Sequence, residues 1–112
     1  MKKVALFSVL LASLWAVPSW CNEEPSMIID VRTPAEWAEG HLESAIHLEL
    51  NVFVEGIAAI APDKEQQIYL YCRSGNRSGQ AKDYMTQIGY TNVTNAGGYE
   101  EAAKLLGEAI VK

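Results

Sequence analysis

Cysteine is scarce in this chain, which has only Cys21 and Cys72. One disulfide is the most they could form, so a scaffold stapled by several bridges is excluded. Basic residues are few: nine Lys and Arg face fourteen Asp and Glu, for a formal net charge of −5. An acidic body argues against nucleic acid or an anionic membrane surface as a partner. The two histidines, His41 and His47, lack the spacing of a metal site, and neither a metal nor an organic cofactor is expected. The longest apolar run, Val4 to Val17, has 14 residues, short of the roughly 18 to 20 that cross a bilayer comfortably. Internal repeats, heptads and low-complexity tracts are missing as well.

The chain opens with a targeting pattern. Met1-Lys2-Lys3 is a short basic head, Val4 to Val17 is apolar, and Pro18-Ser19-Trp20-Cys21 breaks the run before Asn22-Glu23-Glu24. That order is expected of a bacterial secretory signal peptide, residues 1–21, with an uncleaved anchor as the competing reading. Cleavage after Cys21 fits the small-residue rule through Ser19; cleavage after Ser19 is the alternative. Trp20 is too bulky for the position before an acylated cysteine, which argues against a lipoprotein. Residues 22–112 would then be one small domain in the periplasm, with no stable membrane association. Cleavage removes Lys2 and Lys3 and no acid, so seven cations face fourteen acids and the net charge becomes −7. It also leaves Cys72 without a partner for an internal disulfide. Such a thiol is either inert and buried or reactive.

Along the rest of the chain, short β-branched runs alternate with helical patterns. Met27 to Val31, Ala45 to Leu48, Gln67 to Tyr71 and Asn92 to Asn95 read as strands. Thr33-Pro34-Ala35-Glu36 is a helix start with a capping-box acid, and Gly40 ends that helix. Further helices are expected over Val52 to Ile60, Arg77 to Ile88 and Glu100 to Val111, with Ala96-Gly97-Gly98 as a turn. The alternation predicts an α/β fold with a mainly parallel central sheet flanked by helices. Sites in such folds form beyond the carboxyl ends of the strands, where Asp30 and Cys72 sit.

The chemistry gathers after the third strand, in Cys72-Arg73-Ser74-Gly75-Asn76-Arg77-Ser78. A cysteine delivered by a strand to the N-terminus of a helix meets unpaired amide N–H groups, which favour an anion and lower the thiol pKa. Gly75 permits a close backbone approach. Arg73 and Arg77 add positive charge at a helix start, where cations oppose the dipole, so a functional role is favoured, more firmly for Arg77. Ser78 is equally readable as a helix cap. Asp30 and Arg32 read as supports that hold strand ends and loops together, a carboxylate near the arginines serving to orient them. His41 reads as a structural hydrogen bonder, and Trp37 as core or groove lining.

This loop resembles the Cys-x-x-Gly-x-Arg active-site loop of single-domain rhodaneses, the thiosulfate sulfurtransferase family. Ile29-Asp30-Val31-Arg32 with Glu36-Trp37, Gly40-His41-Leu42 and Ala45-Ile46 is similar to the family's upstream signature, and Asn95-Ala96-Gly97-Gly98 to its late glycine pair. Glu49 and Ala102 depart from the common pattern, standing where proline and tryptophan are usual. The resemblance implies a three-layer domain and a two-step sulfur transfer. Cys72 would take a sulfane sulfur from thiosulfate or a similar donor as a persulfide, then pass it to cyanide or a small thiol. Arg73, Ser74, Gly75, Asn76, Arg77 and Ser78 would bind the donor and the sulfur anion. The alternatives are a persulfide carrier or sulfur-binding module with weak turnover, a redox sensor without a resolving cysteine, and a cysteine phosphatase. The last has five residues between cysteine and arginine, where this chain has four.

Overall fold

A computed structural model describes residues 26–112. The expected signal peptide, residues 1–21, lies outside the described residues. Along the chain run strand β1 (Met27–Asp30), helix α1 (Pro34–Glu39), strands β2 (His41–Leu42) and β3 (Ile46–His47), and a 3₁₀ turn (Leu50–Val52). Helix α2 (Phe53–Ile60), strand β4 (Ile68–Cys72), helix α3 (Asn76–Gln87), strand β5 (Val93–Gly98), helix α4 (Tyr99–Leu106) and strand β6 (Ile110–Val111) follow. The capping box forms as read from the sequence: Thr33 Oγ1 accepts the Glu36 N–H at 3.2 Å, and Glu36 Oε1 accepts the Thr33 N–H at 3.0 Å.

Four strands pair in parallel in the order β3-β1-β4-β5. Side chains alternate across this sheet with a period of two and feed two cores. Ile29 from β1 and Ile68, Leu70 and Cys72 from β4 join Phe53 and Ile57 of α2 and Ala81 and Met85 of α3 on one face. Ile28 and Tyr71 point to the other face, against Ala102 of α4 and Leu42 of β2. The result is the expected three-layer α/β arrangement with a mainly parallel sheet. Each fully buried Ile or Leu in it contributes about 1.5–3 kcal/mol. Among the described residues, no helix is long and apolar enough to cross a membrane.

Two elements differ from the sequence expectation. Ala96-Gly97-Gly98 is not a turn: β5 continues through it, and a shift in register brings Gly98 opposite Cys72. The last helix does not reach Val111. Gly107 adopts a left-handed conformation (φ 67°, ψ 33°) and closes α4 after Leu106. The β-branched Ile110–Val111 then pairs antiparallel with His41–Leu42.

Candidate active site

Cys72 is the last residue of the strand between β1 and β5, and its side-chain phase follows from that strand. It shares a face with Ile68 and Leu70, so the sulfur points toward the layer that holds α3. Chain reversal falls on Gly75, whose φ of 95° lies where residues with a Cβ are strained. Gly75 thereby caps α3 and turns its N–H onto the sulfur, 3.0 Å from Cys72 Sγ. Ser78 is not the helix cap; it lies within the first turn, fully buried, with Oγ 3.5 Å from the sulfur.

Cys72 itself is fully buried. Burial pushes the thiol pKa up, but the Ser78 hydroxyl and the amides of Ser78, Ser74 and Gly75 together outweigh it and hold the pKa below its ordinary value of 9.0. Donors converging on an anion explain the sign.

The two arginines beside the cysteine are held differently. Arg77 forms a two-point ion pair with Glu36 of α1, Nη1 to Oε1 at 2.8 Å and Nη2 to Oε2 at 3.0 Å. Arg73 approaches the same carboxylate only at 3.5 Å, and its side chain is 58 % exposed. Arg73 is therefore less firmly held than Arg77. Sequence reasoning had Glu36 as a capping acid alone. Hydrogen bonding to Arg77 brings the Glu36 pKa down from 4.5 to about 2, against the effect of burial and with help from Thr33.

Asp30 and Arg32 form a buried pair beneath the site. The Arg32 guanidinium grips both Asp30 oxygens, with the shortest contact at 2.8 Å, and also donates to Gly40 O at 2.6 Å. They tie the end of β1 to the end of α1, a supporting place, but the carboxylate that orients the loop arginine is Glu36. Asn76 opens α3, and its side chain accepts from Gln80 along the helix. Trp37 stacks on His41, at 3.5 Å between ring centroids, and on His47, at 4.9 Å. The His41 ring also bonds Leu42 O at 2.9 Å, in line with a structural role. Among the described residues, no group of three or more His, Cys, Asp or Glu is placed to hold a metal ion. Beside the loop lies an open cleft of about 350 Å³, lined by Arg73, Ser74, Gly98, Tyr99, Glu100 and Glu101.

A strand-delivered cysteine in an amide cradle at the head of a helix defines a class of protein, and comparison with known families gives the same class. Residues 16–104 match the family model for the rhodanese-like domain; the chain belongs to the rhodanese family. Among its relatives is the thiosulfate sulfurtransferase PspE of Escherichia coli K12, 39% identical over 93 residues that cover 83% of this chain and 86% of that protein. A sulfurtransferase of Allochromatium vinosum is 39% identical over 69% of this chain and 70% of its own length. The solved structure of a rhodanese with anions from E. coli superposes with a TM-score of 0.72 at 39% identity, covering 79% of this chain and 99% of that one. A tRNA uridine(34) hydroxylase of Yersinia enterocolitica is 32% identical, but the match spans only 25% of that protein. Family and relatives together support sulfur transfer as the activity.

Proposed function

We propose that this protein is a periplasmic thiosulfate sulfurtransferase that works through a persulfide on Cys72. The observation that carries the reading is the sulfur's surroundings: the Gly75 N–H at 3.0 Å and the Ser78 hydroxyl at 3.5 Å, with Arg73 on the loop and Arg77 in the first turn of α3. The Cys72 thiolate attacks the outer sulfur of thiosulfate. A new S–S bond forms, the donor S–S bond breaks, and sulfite leaves with the electron pair. Cyanide or a thiolate then attacks the outer sulfur of the persulfide, and the Cys72 thiolate departs, giving thiocyanate or an acceptor persulfide. The amides of Ser74, Gly75 and Ser78 balance the sulfur anion at both stages, and Arg73 draws in the donor. Asp30 and Arg32 support the loop from beneath. Residues 1–21 direct export and are removed, and residues 22–112 carry the activity.

Full burial of Cys72 favours one second reading, a persulfide carrier with weak turnover. A phosphatase fits less well, because both terminal nitrogens of Arg77 are engaged by Glu36 instead of facing a phosphoryl group. The test is the intact mass of the exported protein before thiosulfate, after it, and after cyanide, beside Cys72→Ser. One sulfur gained on Cys72 and released by cyanide as thiocyanate is the expected result. Sulfur gain with negligible turnover would select the carrier, and no gain would remove thiosulfate as the donor.

A further inference from the structure

Ser78 has one hydroxyl proton, and two acceptors compete for it. Its Oγ lies 2.7 Å from Asn95 Oδ1 and 3.5 Å from Cys72 Sγ. The shorter contact has the usual length of an O–H···O bond, so in this state the proton points to Asn95. Asn95 reaches the site from β5 and is fixed by two other bonds. Its Nδ2 donates to Gly75 O at 2.9 Å, and its Oδ1 also accepts the Gly97 N–H at 3.0 Å. Those partners fix which end of the carboxamide is oxygen, since a carbonyl needs a donor and an N–H an acceptor. Glycines one helical turn apart leave room for it: a Cβ at 79 would lie 3.3 Å from Nδ2, and one at 75 would lie 3.9 Å away.

We propose that Asn95 and Ser78 form a hydroxyl rotor for Cys72, the Ser78 proton resting on Asn95 while the sulfur is a thiol and turning to the sulfur when it is anionic. The turn leaves no group orphaned, because Asn95 Oδ1 keeps the Gly97 N–H. Covalent bonds to Ser78 are unchanged; the thiol proton goes to water, and the Ser78 O–H only rotates. Asn95 is thus a positioning residue, setting how firmly the hydroxyl is held away from the sulfur. The rotor rests on the reading of Cys72 as a working thiolate, but not on any donor or acceptor. The charged groups on the elements packed about the loop include Arg73 and Arg77, Glu36 from α1, the Asp30–Arg32 pair at β1 and Glu101 of α4, which accepts the Gly98 N–H, and none of these residues is replaced by changes at 78 or 95.

The test is a pH titration of the thiolate's ultraviolet absorbance, taken as the difference from Cys72→Ser so that other chromophores cancel. Native protein, Ser78→Ala, Asn95→Ala and the double variant are compared. Asn95→Ala removes the rival acceptor, so the midpoint falls by about half a unit, roughly threefold more thiolate below the midpoint. Ser78→Ala raises the midpoint more in the Asn95→Ala background than in the native one, where loss of the bond to Asn95 offsets loss of the bond to sulfur. Equal shifts in both backgrounds would mean that the two residues act independently. A smaller shift without Asn95 would mean that the carboxamide holds the hydroxyl on the sulfur. Either result overturns the rotor. Should Ser78→Ala lose its circular dichroism, Asn95→Ala alone decides, and an unchanged or raised midpoint rejects the proposal. Because no sulfur donor is used, a failed rotor and a failed sulfurtransferase assignment remain separate results.

Discussion

Glu36 carries three loads with one carboxylate: it caps α1, pairs Arg77 and lies within 3.5 Å of Arg73. The two arginines therefore differ in how firmly they are held, and two variants test whether they differ in role. Arg73→Ala is expected to raise the KM for thiosulfate about tenfold with a smaller change in kcat, as loss of one exposed cationic contact would. Arg77→Ala should chiefly lower stability and leave the KM within about threefold, because its charge is already spent on Glu36. Steady-state kinetics and thermal melts on the pair decide this, and equal KM effects would show that Arg77 also meets the donor. The same carboxylate sets an acid limit. Its pKa in the fold, about 2, lies below the ordinary 4.5, so its stabilisation is complete above pH 4.5 and is lost as pH falls from there through 2. Denaturation midpoints measured across that window should fall less steeply in Glu36→Gln than in the native protein.

At the scale of elements, the cysteine loop is held by strand β5 as much as by its own helix. A Cβ on Gly98 would lie 2.5 Å from the Arg73 carbonyl, a backbone atom that cannot swing aside. Gly98→Ala should therefore cost about 1–3 kcal/mol by overpacking and lower sulfur-transfer turnover, both readable from denaturation and assay of one variant. An unchanged melt and rate would mean that the loop shifts freely. This closeness also explains what the sequence could and could not tell. Strand β4 and the turn at Gly75 into a helix were legible because local cues decide them: an apolar run, then a glycine in a short polar loop ahead of a helical pattern. The Glu36–Arg77 pair joins residues 41 positions apart, and nothing local announces it. Extension of β5 through Ala96-Gly97-Gly98 was hidden because glycine pairs ordinarily signal turns, and only the neighbouring strand makes them a ladder. The end of α4 was missed, although Gly107 is of the type that commonly terminates a helix. The apolar Ile110-Val111 beyond it extended the helical pattern and masked the stop.

For the whole molecule, charge and layering bear on where the protein works. Two cores lie on opposite faces of the sheet, and among the described residues their buried members run from Ile28 to Ala102. Segment 1–21 lies outside the described residues. Its basic head, apolar run and small-residue boundary have the order of an export signal. Its removal would deepen the acidic balance of the remaining chain and leave Cys72 with no second thiol in its own molecule, so that an oxidising compartment could not lock it in an internal disulfide. Expressed in a Gram-negative host, the protein should be recovered from the periplasmic fraction with an N-terminus at Asn22, as intact mass and N-terminal sequencing would read. A mass that retains Met1 to Cys21 on membrane-bound protein would instead establish an anchor. That protein would keep Cys21 as a possible disulfide partner, and the redox argument for Cys72 would have to be remade.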